Sequence, residues 1–439
     1  MSDLQHAPPG SGSGRASWLV YGAALALAVL RAPQLLVDPR FWAEEGSVYY
    51  AVALRQPWLE ALFHLPRDTA GYLLLSASVP ATVAAKLLPL ELGPFATTYA
   101  ALAVLSVALA LLAFGRSLLW NDPTRRGLAC LVVLLAPSSV GEVWLNSTNS
   151  QVYCGLISLC ILCEDLRSAS RRRIAAYLLL LLVCGLSGVY TSFLFLAFVW
   201  KIWFERSRGA WLAGGVVAAA ALAQFAIFLL LWNENAIHAS KFRQIDWVQS
   251  ATYTFYTQFM APLGGRSLVQ EVMDPARVVY GLAGDWGDPA SAGIALIGLL
   301  GVVAVLWALV DRELRSPRNG LVIAVGSLAI LTTVSAKFGR TTGRYAVLSG
   351  ISLLWLLLAH TYLRRGAPPW RALCASALLF ASLGVGGVGY RRDAAFACPG
   401  GCPRWREEVA HWRRDPTYPP QIWPVLFPRT GRQWRVDVP

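Results

Sequence analysis

The first two strongly apolar segments of this chain are separated by Asp38-Pro-Arg-Phe-Trp-Ala-Glu-Glu-Gly-Ser-Val-Tyr-Tyr50. This stretch places two adjacent carboxylates, Glu44 and Glu45, shortly after a segment that is apolar enough to span a membrane. Ionisable side chains are costly close to lipid, and where they occur they usually serve a function. The acidic pair therefore predicts chemistry at a membrane surface.

The composition of the whole chain is that of a membrane protein. Of its 439 residues, 56% are hydrophobic and only 14% are charged, which is too apolar for a soluble globular protein. The formal net charge is +13, but Lys and Arg lie mostly in short loops and in the C-terminal tail. That distribution fits membrane topology and contact with anionic lipid headgroups. We therefore expect membrane lipids as partners and no nucleic acid, because no basic soluble module is present.

An apolar stretch of about 20 residues crosses a membrane once, and on this basis we predict an all-α polytopic bundle of about eleven membrane-spanning helices. The predicted spans are 17–37, 94–114, 127–143, 149–163, 174–187, 190–204, 210–232, 291–310, 319–337, 344–363 and 371–390. The apolar run over 174–204 is too long for one helix, and Gly185-Leu-Ser-Gly188 predicts a break in it. Residues 1–16 are rich in Gly, Ser and Pro, so we expect them to be disordered.

Basic residues in short loops set the expected orientation, because cytoplasmic loops carry an excess of Lys and Arg. The clearest clusters are 167–173 and 201–208, which we place in the cytoplasm together with the N-terminus. The chain is then a multi-pass protein of the plasma membrane, or of the inner membrane of a bacterium. Four segments are expected on the outer, periplasmic or extracellular side: the first outer loop 38–93, the turn 146–151, the loop 233–290 and the tail 391–439.

This topology requires that residues 71–92 do not cross the membrane. The segment is apolar but carries Pro80, Lys86 and Pro89, which suits a helix lying in the outer membrane surface. The C-terminal spans 291–390 then lead to the tail 391–439, which is too short for a large core and is predicted to be a small cap.

The order of these elements over 17–232 resembles that of the GT-C superfamily of integral-membrane glycosyltransferases. These enzymes open with a helix and an outer loop that carries an Asp-Glu or similar pair followed by a Tyr. The resemblance implies an inverting transfer of a sugar from a polyprenyl-phosphate donor to a protein, glycan or lipid acceptor on the outer face. It places Glu44 or Glu45 in the catalytic position, as a base or as a ligand of Mg²⁺ or Mn²⁺, with Tyr49 following. Neither acid here is Asp, and Tyr49 lies one place further along than in the commonest spacing.

The chemistry of such a transfer asks for a carboxylate that takes the acceptor's proton. Adjacent residues on a helix point about 100° apart, so we expect Glu44 and Glu45 to have different roles. The alternative is that both acids stabilise the N-terminal turn of a helix that begins near Val48.

The leaving phosphate needs a cation that stabilises its developing charge. The segments Lys241-Phe-Arg243 and Lys337-Phe-Gly-Arg-Thr-Thr-Gly-Arg-Tyr345 supply cations on the predicted outer side. The Arg-Tyr pair of the second segment resembles a pair found late in many GT-C enzymes. The predicted ligands of the donor phosphate are Lys241, Arg243, Arg340 and Arg344. Lys and Arg at the ends of spans can also simply reach for lipid headgroups.

The turn Glu142-Val-Trp-Leu-Asn-Ser-Thr-Asn-Ser-Gln151 is unusually polar for a link between spans, and it could either bind a sugar or cap the adjacent helices. The predicted substrate-binding residues are Tyr49, His64, Arg67, Asn146, Asn149, Gln151 and Tyr345. Cys398 and Cys402 are predicted to form a disulfide on the outer side. No residue is predicted as a dedicated metal ligand, since the His residues lack ligand spacing.

Two other functional classes remain open. One is a glycan polymerase or ligase, or a lipid-modifying acyltransferase, for which 233–290 is the candidate outer loop. The other is a transporter or a flippase of lipid-linked sugars. Paired broken helices in inverted halves would favour transport, and Gly185–Gly188 is the one break of that kind in the sequence.

Overall fold

A computed structural model describes residues 13–66, 71–137, 141–233, 254–265, 309–310, 316–337, 344–361, 369–390, 402–426 and 433–439. The predicted disordered N-terminus lies almost wholly outside these residues. So do most of the loop 233–290 and nearly all of the predicted span 291–310.

Helices dominate the described part of the chain. The N-terminal helices are α1 (Ser13–Arg31), α2 (Gln34–Val37), α3 (Ala51–Arg55), α4 (Trp58–Leu62), α5 (Leu75–Leu87), α6 (Gly93–Phe114), α7 (Pro123–Leu135), α8 (Gln151–Cys163), α9 (Arg171–Gly185), α10 (Tyr190–Phe193), α11 (Phe195–Glu205) and α12 (Arg208–Asn233). The C-terminal helices are α13 (Pro317–Lys337), α14 (Arg344–His360), α15 (Pro369–Gly389) and α16 (Trp405–Arg414). Single turns of π-helix (Glu45–Tyr50, Tyr256–Met260) and 3₁₀-helix (Leu90–Leu92, Gly141–Val143) complete the set.

Within the described ranges, four helical stretches are long and apolar enough to cross a membrane, which identifies a mostly helical membrane protein. They are Leu90–Phe114, Arg208–Trp232, Pro317–Val334 and Pro369–Gly389. Helices α8 and α14 are apolar but shorter, with 13 and 17 residues. The expected total of about eleven spans therefore stays a prediction.

The centre of the bundle is formed by α8 and α14. All the residues of α8 are buried, as are those of α14 from Ala346 to Ala359, because a helix that is hydrophobic all round is enclosed by other helices. Trp355 on α14 packs against Trp120 with 4.9 Å between ring centroids, and its indole N–H donates to the carbonyl of Ala129. Helices α12 and α15 instead leave large apolar side chains exposed, as expected for helices that face lipid.

The apolar run over 174–204 breaks where the sequence predicts a break. Helix α9 ends at Gly185, and Gly188 has a φ of +110°, a conformation that glycine adopts without strain. The broken segment pairs with the first outer loop, because Leu75 N donates to Leu186 O and Gly188 N donates to Leu73 O. The side chain of Gln224 on α12 binds the backbone N–H and the carbonyl of Leu73 as well.

One predicted span ends early in the structure. Residues 127–143 were expected to form one helix, but α7 ends at Leu135. The residue after the helix, Ala136, has φ −56° and ψ 123°, the extended conformation that a following proline imposes, and the next residue is Pro137. The polar turn that carries Glu142 is thereby released from the helix.

The described part of the C-terminal tail is a small unit of α16 and the antiparallel strands β1 (Gln421–Leu426) and β2 (Gln433–Arg435). The two strands are a departure from the all-α expectation. Trp423 of β1 pairs with the loop residue Trp42 in a parallel bridge. Ala43 N donates to Trp423 O at 2.6 Å, and Trp423 N donates to Phe41 O at 3.2 Å. The tail and the acidic stretch therefore share one core.

Candidate functional site

Glu45 joins the acidic stretch to the polar turn between α7 and α8. Its side chain is fully buried. One carboxylate oxygen accepts hydrogen bonds from the backbone N–H of Ser147 at 2.6 Å and from its hydroxyl at 2.7 Å. The other oxygen accepts from the backbone N–H of Trp42 at 3.0 Å. These hydrogen bonds hold the two loops together.

Burial dominates the ionisation of Glu45. Burial raises the pKa of its carboxyl above the ordinary value of 4.5, and the hydrogen bonds from Ser147 and Trp42 and the charge of Arg40 oppose that rise. Arg40 is itself held between two indole rings, with its guanidinium carbon 4.6 Å from the Trp42 ring centroid and 4.8 Å from that of Trp423. The C-terminal tail thus contributes to the electrostatics of the acidic stretch.

Glu44 differs from its neighbour in burial and in hydrogen bonding. The residue is half-buried, and its side chain makes no hydrogen bond or ion pair within the described residues. The residue before it, Ala43, has a φ of +42°, a left-handed conformation that costs a non-glycine residue about 1–3 kcal/mol. That turn leads into the π-helical segment and directs the two adjacent acids differently. Glu44 is therefore the acid whose carboxylate is available for a ligand.

The polar turn that follows α7 is built around a single backbone carbonyl. The side-chain amides of Asn146 and Asn149 both donate to the carbonyl of Glu142. Asn149 N donates in turn to the side-chain oxygen of Asn146 at 2.8 Å. Leu145, directly before Asn146, has a φ of +48°, so this turn is strained like the acidic stretch that it contacts.

Arg344, the first residue of α14, extends over this turn. Its Nη1 donates to the carboxylate of Glu142 at 3.0 Å and to the side-chain oxygen of Asn149 at 3.3 Å. Its guanidinium carbon is 5.2 Å from the ring centroid of Tyr345. The backbone carbonyl of Arg344 accepts from the hydroxyl of Tyr190 at 3.0 Å. The polar turn thus binds the guanidinium of Arg344, and Tyr190 binds its backbone.

A group of tyrosines lines the same region. The ring of Tyr190 stacks on that of Tyr345 with 6.2 Å between centroids, and the hydroxyl of Tyr72 accepts from the side-chain amide of Gln151 at 3.2 Å. Burial raises the pKa of Tyr72, and the neighbouring Tyr345 raises it further, while Arg344 lowers it. Tyr72 in the first outer loop is therefore close to Arg344 and Tyr345 at the start of α14.

Tyr49 links this group to Glu44. Burial raises the pKa of Tyr49 well above its ordinary value, and Tyr72 and Glu44 add to that rise, while Arg344 opposes it. Its ring also meets that of His64 edge-on at 6.2 Å, and burial lowers the pKa of His64. Glu44, Tyr49, Tyr72 and Arg344 therefore lie within electrostatic reach of one another.

Several predicted site residues come together here: Glu44, Glu45, Tyr49, His64, Asn146, Asn149, Gln151, Arg344 and Tyr345. Arg67, Lys241, Arg243, Arg340 and Cys398 lie outside the described residues. Cys402 is disulfide-bonded, in agreement with its predicted involvement in a disulfide. Of the predicted substrate-binding residues, Asn146 makes bonds that serve the turn itself.

Sequence reasoning missed three contributors to the site: Glu142, Tyr72 and Tyr190. Glu142 opens the polar turn and could have been found as the one acid in it. Tyr72 follows Gly71 in the first outer loop, and Tyr190 follows the glycine break, but neither position carries a signal in the sequence.

The site offers few ligands for a metal ion. In the part of the chain that the structure describes, no group of three or more His, Cys, Asp and Glu side chains could hold one. Glu142 is already paired with Arg344, and Glu45 is occupied by backbone and hydroxyl donors.

No protein-family model and no curated protein matches this chain. Its function is therefore inferred from the residues of the site.

Proposed function

We propose that this protein is a membrane glycosyltransferase that moves a sugar from a polyprenyl-phosphate donor to a protein, glycan or lipid acceptor. The observation that carries the proposal is the contrast between the two acids. Glu45 is anchored by Ser147 and Trp42, whereas Glu44 keeps an available carboxylate beside Tyr49 and within reach of Arg344. A base and a cation at the end of apolar helices are the two groups that this transfer needs.

The proposed reaction is a single displacement at the anomeric carbon. The acceptor oxygen or nitrogen forms a bond to that carbon while the bond from carbon to phosphate oxygen breaks. The proton of the acceptor passes to the carboxylate of Glu44, and the electron pair of the broken bond leaves with the polyprenyl phosphate. Attack opposite the leaving group inverts the anomeric configuration. Arg344 stabilises the negative charge that develops on the phosphate.

The tyrosines supply the remaining requirement, which is a surface for the sugar. Aromatic rings and hydroxyl groups suit a sugar, because the rings cover its apolar C–H face while the hydroxyls bind its polar edge. Tyr190 and Tyr345 stack next to Arg344, and Gln151 holds the hydroxyl of Tyr72. In the proposed complex these residues orient the sugar between the cation and Glu44.

The test is transfer of labelled sugar from a panel of polyprenyl-phosphate sugars in membranes that contain equal amounts of each variant. Glu44→Gln should lower transfer about a thousandfold, the order of magnitude for the loss of a general base. Glu60→Gln is the matched control, because Glu60 is an exposed acid of the same outer loop. It should transfer like the wild type.

Two results would contradict the proposal. Transfer that is unaffected by Glu44→Gln would remove the proposed base. Absence of transfer from every donor in the panel, with the wild-type protein folded and present, would favour the transporter or flippase alternative. Binding of a lipid-linked sugar without turnover would point in the same direction.

A further inference from the structure

The guanidinium of Arg344 is held on one nitrogen only. Nη1 donates both to Glu142 at 3.0 Å and to Asn149 at 3.3 Å. Nε is buried and has no hydrogen-bond partner among the described residues, and no bond is formed by Nη2 in the same ranges. A buried donor without a partner is costly, so this nitrogen marks a position where a ligand would be favourable.

The shape of the guanidinium gives the open donors a common direction. The group is planar and rigid, and its N–H bonds at Nε and Nη2 point side by side. Two parallel donors of this kind match two oxygens of one phosphate. Because Glu142 and Asn149 occupy Nη1, the pair that is left is the one that can bind a phosphate side-on.

The side chain of Glu142 is not needed to form the turn that carries it. Both Asn146 and Asn149 donate to the backbone carbonyl of Glu142, not to its carboxylate. The carboxylate is about one-quarter exposed and pairs with Arg344. The two asparagines therefore keep their backbone acceptor when the side chain of Glu142 is changed.

We propose that Glu142 and Asn149 are positioning residues that fix Arg344 by Nη1 so that its Nε–Nη2 edge receives the phosphate of a polyprenyl-phosphate lipid. The inference rests on the proposed function and extends it by naming the residues that orient the cation. Without these two acceptors the long Arg344 side chain would lose its fixed orientation, and the phosphate would have to order it on binding.

The test measures binding and not transfer. The purified full-length protein in detergent is titrated with a fluorescently labelled polyprenyl phosphate, and anisotropy gives the Kd. Glu142→Ala should weaken binding about tenfold, the size of one charge-assisted hydrogen bond, and Asn149→Ala should weaken it in the same direction. Glu142→Gln keeps an acceptor oxygen for Nη1 and should stay within about threefold of the wild type.

Glu142→Met separates positioning from a merely structural role, because it keeps the length of the side chain without an acceptor oxygen and should bind as weakly as Glu142→Ala. Thermal unfolding of each variant verifies that the protein is folded. The inference is overturned by Glu142→Ala binding as tightly as the wild type, or by Glu142→Gln binding as weakly as Glu142→Ala. Competition by inorganic phosphate at concentrations comparable to those of the lipid would assign the edge to free phosphate and would also overturn the proposal.

Failure of this inference can be told from failure of the proposed function. If Glu142→Ala weakens lipid-phosphate binding but no donor supports transfer, the proposed function fails and the inference stands. If the wild type transfers sugar while all the variants bind the lipid phosphate alike, the inference fails alone.

Discussion

Replacement of Glu45 gives the sharpest prediction for stability. Its carboxylate accepts three hydrogen bonds in a fully buried position, two from Ser147 and one from Trp42. Glu45→Ala removes all three and leaves two backbone N–H groups buried without a partner. Each lost bond costs about 1 kcal/mol, and each orphaned donor adds a further penalty, so we expect a loss of about 3–5 kcal/mol in the free energy of unfolding.

Glu45→Gln should cost less, because one oxygen remains. That oxygen can still accept from Ser147, but the amide nitrogen then faces the N–H of Trp42, which also donates. One donor–donor contact replaces one hydrogen bond, so we expect a loss of about 1–3 kcal/mol. Glu44→Gln is the control and should change the unfolding free energy by less than about 0.5 kcal/mol, since it removes no hydrogen bond.

The assay is unfolding of the purified protein in mixed micelles, followed by tryptophan fluorescence. A double-mutant cycle of Glu45→Ala with Ser147→Ala makes it specific, because both substitutions remove the hydrogen bond from the Ser147 hydroxyl and should be less than additive. Equal unfolding free energies for Glu45→Ala, Glu44→Gln and the wild type would refute the reasoning. So would full additivity in the cycle.

Three further predictions concern Glu45, Gly188 and Trp423. The raised pKa of Glu45 means that its protonated carboxyl favours folding below pH 4.5, and this contribution is lost as pH rises through the pKa of the folded state. In unfolding titrations, the stability of the wild type relative to Glu45→Gln should therefore fall as pH rises. Gly188→Ala should lower the free energy of unfolding by about 1–3 kcal/mol, because φ is +110° and the new Cβ would lie 2.5 Å from the Gln151 side chain. Gly215→Ala is the control in thermal unfolding, since no atom lies within 4 Å of its new Cβ. Trp423→Ala removes the ring that stacks on Arg40. Removing a packed Trp costs roughly 3–5 kcal/mol, so limited proteolysis should cleave the tail at least about tenfold faster. Trp412→Ala is the control and should be cleaved like the wild type; equal cleavage of the two variants would contradict the prediction.

The helices of this protein could be predicted because lipid imposes a simple rule on length and polarity. Segments such as 94–114 and 210–232 have almost the same bounds in the structure, as α6 and α12. The break at Gly185–Gly188 was also readable, since glycine ends helices. The early end of α7 was not, although Pro137 gave a reason for it.

The site was harder to predict than the spans, because its contacts join distant parts of the chain. The sequence placed Glu44, Glu45 and Arg344 on the outer side, but it could not decide between the two acids. That decision depends on Ser147, about a hundred residues later, whose backbone and hydroxyl occupy Glu45. The role of Glu142 was not predicted, because its carboxylate pairs with Arg344, which lies 202 residues later in the chain.

The contact between the tail and the acidic stretch also constrains how the chain threads the membrane. Residues 41–43 bond to Trp423, and the carbonyl of Leu90 accepts from the indole N–H of Trp405. Groups that touch must lie in one compartment, so the number of crossings between Leu90 and Trp405 has to be even. The predicted spans from 94 to 390 meet this condition, whereas a single crossing by 71–92 would leave the acidic stretch and the tail on opposite sides of the bilayer. A few hydrogen bonds between the acidic stretch and the tail therefore require an even number of crossings between these two segments.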